Sequence, residues 1–505
     1  MLEKLKRFWK QYFPFIVALI PVLLLRDFTP DNELRYLAVA REALEHHHYF
    51  ALTLQGEPYL EFPPLYIWLL MASKVIFRHW YMIQLSLFSL VPALLVVHYM
   101  NRWVSRYEMG GLRMSDGSQS RDIAQWMLFT SGLMFLMSSF LRMDMLFCLW
   151  MVLAFYNFWQ ILYEPLGPNQ ELGLRERRRP SVRHQWYFGI FVFLGVLTNG
   201  FWGVVIPFLC TFAYLLLSGR LFRFFHLWSW RSLLVIGTGC ALWVYATIQE
   251  GGWEYARHLF ERQGYTPLIY SLHHNRPWFY YIGSVWYDAL PWGPLCLVIL
   301  IASITRRYKK NLDRPFLQRF RLASPLQSFF ATIFLTTLIF LSFLPGKIDV
   351  RLLPVFPFLI YVGVMQMGQW KWPVVWQWKM LWVCRIILIV VFIGGCFMPK
   401  LNAYIGCYGH LCWRANDIRR ELRTEGVYTW QLPSNMSNMD VYLHEDPKIA
   451  SYEQIRDHQL RNTLLLSEED EYEALRIRLQ QDGAPAECWG TIVSRKGPFV
   501  IVKYE

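Results

Sequence analysis

Apolar stretches of roughly 15 to 25 residues recur along the first 400 positions, about the length a helix needs to cross a bilayer core. They predict spans near 11–25, 80–100, 123–140, 145–162, 185–198, 201–217, 227–248, 278–303, 326–344, 352–368 and 380–398. One further segment, "PPLYIWLLMASKVIF" (Pro63–Phe77), is short and opens on two prolines. Counting it as a span would invert every later segment, so it is laid in the membrane interface as an amphipathic helix. From Pro399 the long apolar runs stop. The tail alternates helical stretches such as "EEDEYEALRIRLQQ" with strand-like "GVYTW", "MDVYLHE", "GTIVSR" and "FVIVKYE". The last two, joined by "KGP", read as a hairpin. The expected fold is a polytopic α-helical membrane protein of about eleven spans with a small C-terminal α/β soluble domain. The division falls into 1–398 and 399–505, with interfacial helices in a first outer loop, 26–79.

Composition agrees with this pattern. The chain is 55% hydrophobic and only 17% charged, where soluble proteins carry nearer a quarter. Its net charge of +13 would suggest nucleic acid in a soluble protein. Here the basic excess lies in connections such as "NRWVSRYEMGGLRMSDGSQSRD", "GLRERRRPSVRH" and "TRRYKKNLDRPFLQRFR", while the tail is slightly acidic. Segments on their side hold roughly twice the Lys and Arg of the opposite side, which is positive-inside sorting rather than nucleic-acid binding. With the N-terminus inside, Leu25–His79, Ser139–Asp144, Gln249–Pro277, Pro345–Arg351 and the tail share the outer face. "MLEKLKRFWK" and the apolar run after it resemble a signal sequence; no small-residue cleavage site precedes "LRDFTPD", so an uncleaved anchor is expected. Six of the nine cysteines lie in apolar runs, where a thiol is a small hydrophobe. A disulfide among Cys407, Cys412 and Cys488 is open.

Polar groups collect on the outer face. "TPDNELRYLAVARE" brings Asp31, Glu33 and Arg35 beside the first span, and "GEPYLEFPPLYIW" adds Glu61. "FLRMDM" offers Arg142 and Asp144, the loop after the seventh span supplies Arg257, Arg262 and Arg276, and "FLPGKIDVRLLPVFP" sets Lys347, Asp349 and Arg351 between two spans. Each has a structural alternative. Thr29 can cap a helix with Pro30 at its first position, placing Asp31 and Glu33 in the favoured first turn. Asp31 and Arg35 are four apart, a routine pair. Asp31 and Glu33 lie roughly 200° apart on a helix and cannot address one atom together. Asp144 can serve a turn, and Lys347 and Arg351 can snorkel at the boundary. Consecutive histidines, His46–His48 and His273–His274, point apart on a helix; a divalent metal is possible but not indicated. Asp288, about ten residues into a span, is a second-rank candidate.

In this order, "DNELRYLAVAREAL", "EFPPLYIW", "RMDM", "HHNRPWFYY" and "PGKIDVRLLPVFPFL" resemble the bacterial membrane glycosyltransferases of the aminoarabinose lipid A transferase (ArnT) and protein mannosyltransferase (PMT) type, which have the GT-C fold. The similarity runs over roughly residues 10–370. It implies an enzyme of the inner membrane that moves a sugar from a polyprenyl-phosphate donor, with inversion and no required cofactor. The acceptor is lipid A, another envelope glycan or a protein, and the active site and tail are periplasmic. The catalytic candidates carried over are Asp31, Glu33, Glu61 and Asp144; the donor-phosphate candidates are Arg35, Arg262, Arg276, Lys347 and Arg351. Two positions depart from the motif pattern: Asn32 stands at the usual acid and Phe62 at the usual lysine. A lipid-linked sugar flippase or an inactive scaffold homologue is the alternative, and Lys347→Ala is expected to cut turnover without unfolding the chain.

Overall fold

The structure, a computed structural model, describes residues 2–504 apart from 79, 108–119, 166–173, 265–275, 314, 371, 405–406, 433–437 and 444–446. In chain order its main helices are α1 (Leu2–Leu25), α2 (Arg35–His46), α3 (Leu65–Phe77), α4 (Met82–Tyr107), α5 (Ser120–Phe129), α6 (Gly132–Ser139) and α7 (Asp144–Leu162). They continue as α8 (Val182–Asn199), α9 (Trp202–Leu217), α10 (Trp230–Gln263), α11 (Tyr280–Asp288), α12 (Trp292–Lys310), α13 (Pro325–Phe343), α14 (Phe356–Gln369) and α15 (Val374–Cys396). The tail adds α16 (Gly409–Leu422) and α17 (Glu469–Gln481).

Contacts divide the chain into two compact units: Met1–Leu19 with His47–Phe392, and Ile20–His46 with Ile393–Glu505. The sequence reading left 26–79 wholly with the membrane part and cut at 398/399; by contact, Ile20–His46 belongs with the tail. Asn402 supplies a reason. Buried in the second unit, it donates to the carbonyl of Leu25 at 3.0 Å and accepts from the Asp27 N–H at 3.3 Å, satisfying backbone groups at the end of α1.

Within the first unit α7 is central: every residue from Asp144 to Leu162 except Trp150 is buried. Its run is apolar on all sides, as a helix enclosed by others must be. Trp103, Trp159, Phe329 and Phe358 interlock beside it with ring centroids 5.4 to 6.3 Å apart. Some polar groups inside are paired: Tyr361 donates to Asn101 at 2.6 Å, and Asn101 to Gln125 at 2.7 Å. By contrast, α15 is strongly apolar yet exposes Trp376, Trp378, Trp382, Ile386, Ile389 and Val390. An apolar helix that turns large side chains outward suits lipid, not water.

Among the described residues, six helical segments are long and apolar enough to cross a membrane, namely Met82–Tyr107, Asp144–Leu162, Trp230–Gln263, Pro325–Phe343, Asp349–Gln369 and Val375–Cys396; Gln11–Leu25, Leu65–Phe77 and Trp202–Leu217 are shorter apolar helices. Helix covers each of the other expected spans too, but two are broken. The span at 123–140 divides into α5 and α6, and that at 278–303 into α11 and α12. The two breaks meet: the Gly132 N–H donates to the Leu290 carbonyl at 2.9 Å. Pro291, which lacks an N–H, sits in the second break. A third helix, α10, runs past its expected end at 248 and bends at Gly252, whose φ of 78° favours glycine. The helix expected to lie in the interface, α3, is apolar on both sides rather than two-faced: it buries Tyr66, Ile67, Leu70 and Met71 and exposes Val75, Ile76 and Phe77.

The second unit is built on a five-stranded sheet. Its strands are β1 (Gly426–Trp430), β2 (Lys448–Ile449), β3 (Thr463–Glu468), β4 (Thr491–Lys496) and β5 (Phe499–Tyr504), in the order β2-β1-β3-β5-β4. β1 pairs in parallel with β2 and β3, while β5 runs antiparallel to both β3 and β4. The expected hairpin is β4–β5, turning at Gly497 with φ 60°. Leu465, Val500 and Val502 pack with Tyr472, Leu475 and Leu479 of α17 as a core. Within "MDVYLHE", expected as a strand, Asp440–Leu443 is a helical turn, and its last two residues lie outside the described residues. Cys407, Cys412 and Cys488 are buried free thiols, with no disulfide.

Candidate active site

The loop after α13 gathers several polar groups in the first unit. α13 ends at Phe343, leaving late carbonyls without helical partners. The Lys347 side chain folds back on them, donating to the Leu344 carbonyl at 2.5 Å and across to the Arg276 carbonyl at 2.9 Å. It is only 3% exposed, and burial holds its ammonium below the ordinary lysine value. Ile348 is fixed next: its N–H donates to the Tyr281 hydroxyl, and that hydroxyl lies 3.1 Å from its carbonyl.

Asp349 starts a 3₁₀ turn, Asp349–Val355, that leads into α14. Its Oδ1 accepts from the hydroxyl of Tyr280 and, at 3.2 Å, from that of Tyr287. These tyrosines are seven apart on α11 and so share one face. Arg276 reaches the same group, donating to the Tyr280 hydroxyl with its guanidinium 4.4 Å over the ring centroid. Arg351 donates to the Gly346 carbonyl and lies 5.0 Å over the Trp202 ring.

Asp144 is the first residue of α7, and the Arg142 Nε donates to its Oδ2 at 2.7 Å. One pocket is lined by Asp144, Asn199, Trp202 and Arg351 together with apolar side chains of α7, α9 and α13. A carboxylate and a guanidinium thus line one small cavity with room for about one water molecule, and they are the group types that proton transfer and anion binding use.

The expected residues therefore separate. Asp144, Arg276, Lys347 and Arg351 come together around this loop. Glu61 is half-buried before α3, and Arg262 is exposed in the last turn of α10 with no hydrogen bond or ion pair among the described residues. Glu33 and Arg35 belong to the second unit. The side chain of Asp31 and both His273 and His274 lie outside the described residues. Among the described residues no group of three or more His, Cys, Asp or Glu could hold a metal ion.

Glu33 takes a structural part. Fully buried, it accepts from both terminal nitrogens of Arg26 at 2.5 and 2.7 Å, and from the N–H and hydroxyl of Thr29 at 2.7 and 3.0 Å. Burial opposes the charge on Arg26, but Glu33 outweighs it and holds the guanidinium above its ordinary value. Thr29 does not cap a regular helix through its side chain; Pro30–Leu34 is a π-helical turn and the capping runs from Glu33 back to Thr29. Nearby Asp27 is raised from the ordinary carboxyl value by burial, with His410, 3.7 Å away, opposing the shift.

Sequence reasoning missed Tyr280, Tyr281 and Tyr287, although "YYIGSVWY" carries two tyrosines at the helical spacing of seven. It also missed Asn199 and Trp202; "TNGFW", a glycine between two apolar runs, was the signal.

No protein-family model matches the chain, and no curated protein does. Solved structures do. The crystal structure of ArnT from Cupriavidus metallidurans bound to undecaprenyl phosphate covers 99% of this chain and 98% of its own, at TM-score 0.67 and 15% identity. The apo form of the same protein has TM-score 0.66, 14% identity and the same coverage. The chain thus has the GT-C fold of ArnT, the architecture its motif order led us to expect.

Proposed function

We propose that this chain is a membrane glycosyltransferase that moves a sugar, with inversion, from a polyprenyl-phosphate donor to an envelope acceptor. The observation that carries the reading is the pocket shared by Asp144 and Arg351, next to the loop that holds Lys347 and Arg276. Its fold, matched to ArnT over 99% of the chain, supports the same reading.

The chemistry fits those groups. An acceptor oxygen attacks the anomeric carbon from the face opposite the phosphate. The new C–O bond forms as the bond from that carbon to the phosphate oxygen breaks, and the lipid monophosphate leaves with the electron pair. Asp144 takes the acceptor proton, with Arg142 holding one of its oxygens. Arg351 stabilises the charge growing on the phosphate, for which a planar guanidinium is well shaped. Lys347 and Asp349 set the loop. No cofactor is needed by this scheme. In this reading about eleven spans cross the bacterial inner membrane, and the active site and the 399–505 tail face the periplasm. The acceptor is lipid A, another glycan or a protein.

Purified protein in nanodiscs, given a polyprenyl-phosphate sugar and envelope lipid, tests this directly. Release of polyprenyl phosphate that depends on Asp144 supports transfer. Movement of intact sugar-lipid between leaflets without cleavage would make the chain a flippase, and inertness in both assays a scaffold.

A further inference from the structure

Between the start of α12 and the first turns of α15 lies a groove of about 550 Å³, walled by Trp292, Leu295, Trp372, Trp376 and Val383, with Lys379 its one charged lining residue. It shares no lining residue with the pocket of Asp144 and Arg351. Both walls are tied in place. The Trp292 indole N–H donates to the Thr130 hydroxyl at 2.8 Å, and the Cys384 sulfur lies 3.3 Å from the same hydroxyl. One buried threonine thereby joins α12 to α15. At the rim, the Gln377 amide donates to the Trp372 carbonyl at 3.0 Å and fixes the turn that carries that ring. The groove is formed before anything enters it, so a ligand does not bear the cost of ordering its walls.

The helix framing the opening is one whose outward side chains suit lipid. Trp376 and Val383, which line the groove, are themselves 53% and 41% exposed. Lysine and tryptophan near a helix start are usual at a membrane surface. That accounts for Trp378, outside the groove, but not for a cation set into an apolar trough. Neither α12 nor α15 contains an acid, and the sequence has none between Asp349 and Asp417. Among the described residues Lys379 makes no hydrogen bond or ion pair; its ammonium lies 4.9 Å over the Trp376 ring. Arg306 of α12 lies 5.7 Å over the ring of Trp370, two residues before the groove's Trp372. Cations beside an apolar trough, with no carboxylate on either wall helix, match a molecule that is apolar along its length and anionic at one end.

We propose that this groove binds one anionic phospholipid, its phosphate on Lys379 and an acyl chain along Trp292 and Leu295. The ligand is a lipid of the surrounding bilayer rather than a substrate. Its test needs no turnover, so failure here leaves the transferase reading standing and failure of transfer leaves this one standing.

The test titrates the full chain in detergent micelles with dioleoyl phospholipids and counts bound lipid by native mass spectrometry. Phosphatidylglycerol should bind about fivefold more tightly than phosphatidylcholine, and Lys379→Gln should remove that preference. Lys379 is exposed, so the change spares folding. Lys310→Gln removes the same charge from the far end of α12, outside the groove, and should leave the preference intact. Val383→Trp, also at an exposed position, fills the groove and should weaken both lipids by about tenfold. Unchanged phosphatidylglycerol binding in Lys379→Gln or in Val383→Trp overturns the proposal. Equal losses in Lys379→Gln and Lys310→Gln also overturn it, because they show charge attraction without a site. A final arm uses undecaprenyl phosphate: weaker binding than phosphatidylglycerol supports a bilayer phospholipid, whereas tighter binding that Lys379→Gln abolishes assigns the groove to a polyprenyl carrier instead.

Discussion

The Lys347 ammonium donates to the carbonyl of Arg276, 71 residues away in sequence, at 2.9 Å, and to that of Leu344 at 2.5 Å. One buried cation therefore ties the end of α13 to the segment that enters α11. Truncating it strands the buried Leu344 carbonyl, at about 1–3 kcal/mol for a buried group left unpaired. The sequence led us to expect Lys347→Ala to spare folding; the structure reverses that. We expect the variant to melt lower as well as turn over more slowly, while Lys347→Arg recovers most of the melting temperature. Equal melting of wild type and alanine variant would show that the two bonds carry no stability.

The same lysine sets a pH signature. Its folded value lies below the ordinary 10.5, so between the two the unfolded chain binds more protons. Its contribution to stability therefore rises with pH across that interval. Activity should move the other way if the ammonium helps position the phosphate. We expect kcat/KM to fall with a midpoint below 10.5, and the fall to shift upward in Lys347→Arg, whose guanidinium keeps its proton. An identical alkaline limb in both proteins would detach Lys347 from the pH profile.

Glu33 and Arg26 lead to a different expectation. Their pair is buried and bidentate, and Thr29 fills further acceptor sites on the carboxylate. Removing one partner of such a pair leaves a buried charge uncompensated, typically costing about 3–5 kcal/mol. Glu33→Gln should therefore lower the melting temperature more than any single change at Glu61. Replacing both partners with apolar residues, Arg26→Met with Glu33→Leu, should recover much of the loss. If Glu33→Gln melts like wild type yet loses all turnover, the residue is chemical rather than structural.

These cases show where the sequence was legible. Lys347, Asp349 and Arg351 stood out because they crowd a short connection between two apolar runs, although snorkelling could explain the two cations and a turn could explain Asp144. Tyr280 and Tyr287 did not, because tyrosines seven apart on an apolar helix look like ordinary packing until Asp349 is seen against them. The tie of Glu33 to Arg26 was hidden by the turn between them, whose π-helical path follows from no residue pattern. Pro291 announced one broken helix; the break at Thr130–Ser131 is paired with it through Gly132 and Leu290, a tertiary contact that no local signal encodes. Grouping of Ile20–His46 with the tail likewise rests on Asn402, more than 350 residues away.

Asp144 is the carboxylate on which the proposed chemistry turns. It shares a pocket with Arg351 and has one oxygen held by Arg142. Asp144→Asn keeps its size and its place at the start of α7 but removes a base. Turnover should fall by roughly 10²–10⁴ with little change in donor KM. Glu61→Gln should cost far less. Full turnover in Asp144→Asn would move the proton acceptor elsewhere.

Sidedness of the tail can be read with a single thiol, and the structure changes the best place for it. Ser451 is exposed and looks convenient, but it closes a capping box with Gln454, so replacing it costs about 1 kcal/mol of helix stability. Ile449, on the edge strand β2, is 83% exposed and caps nothing. Cys407, Cys412 and Cys488 are buried, which leaves Cys396 as the exposed native thiol to remove by Cys396→Ser. In that background, Ile449→Cys should react with a membrane-impermeant maleimide in intact spheroplasts as fully as after permeabilisation. Labelling only after permeabilisation would place the tail inside, requiring an even number of crossings between it and an internal N-terminus, and the proposed orientation would fail with it.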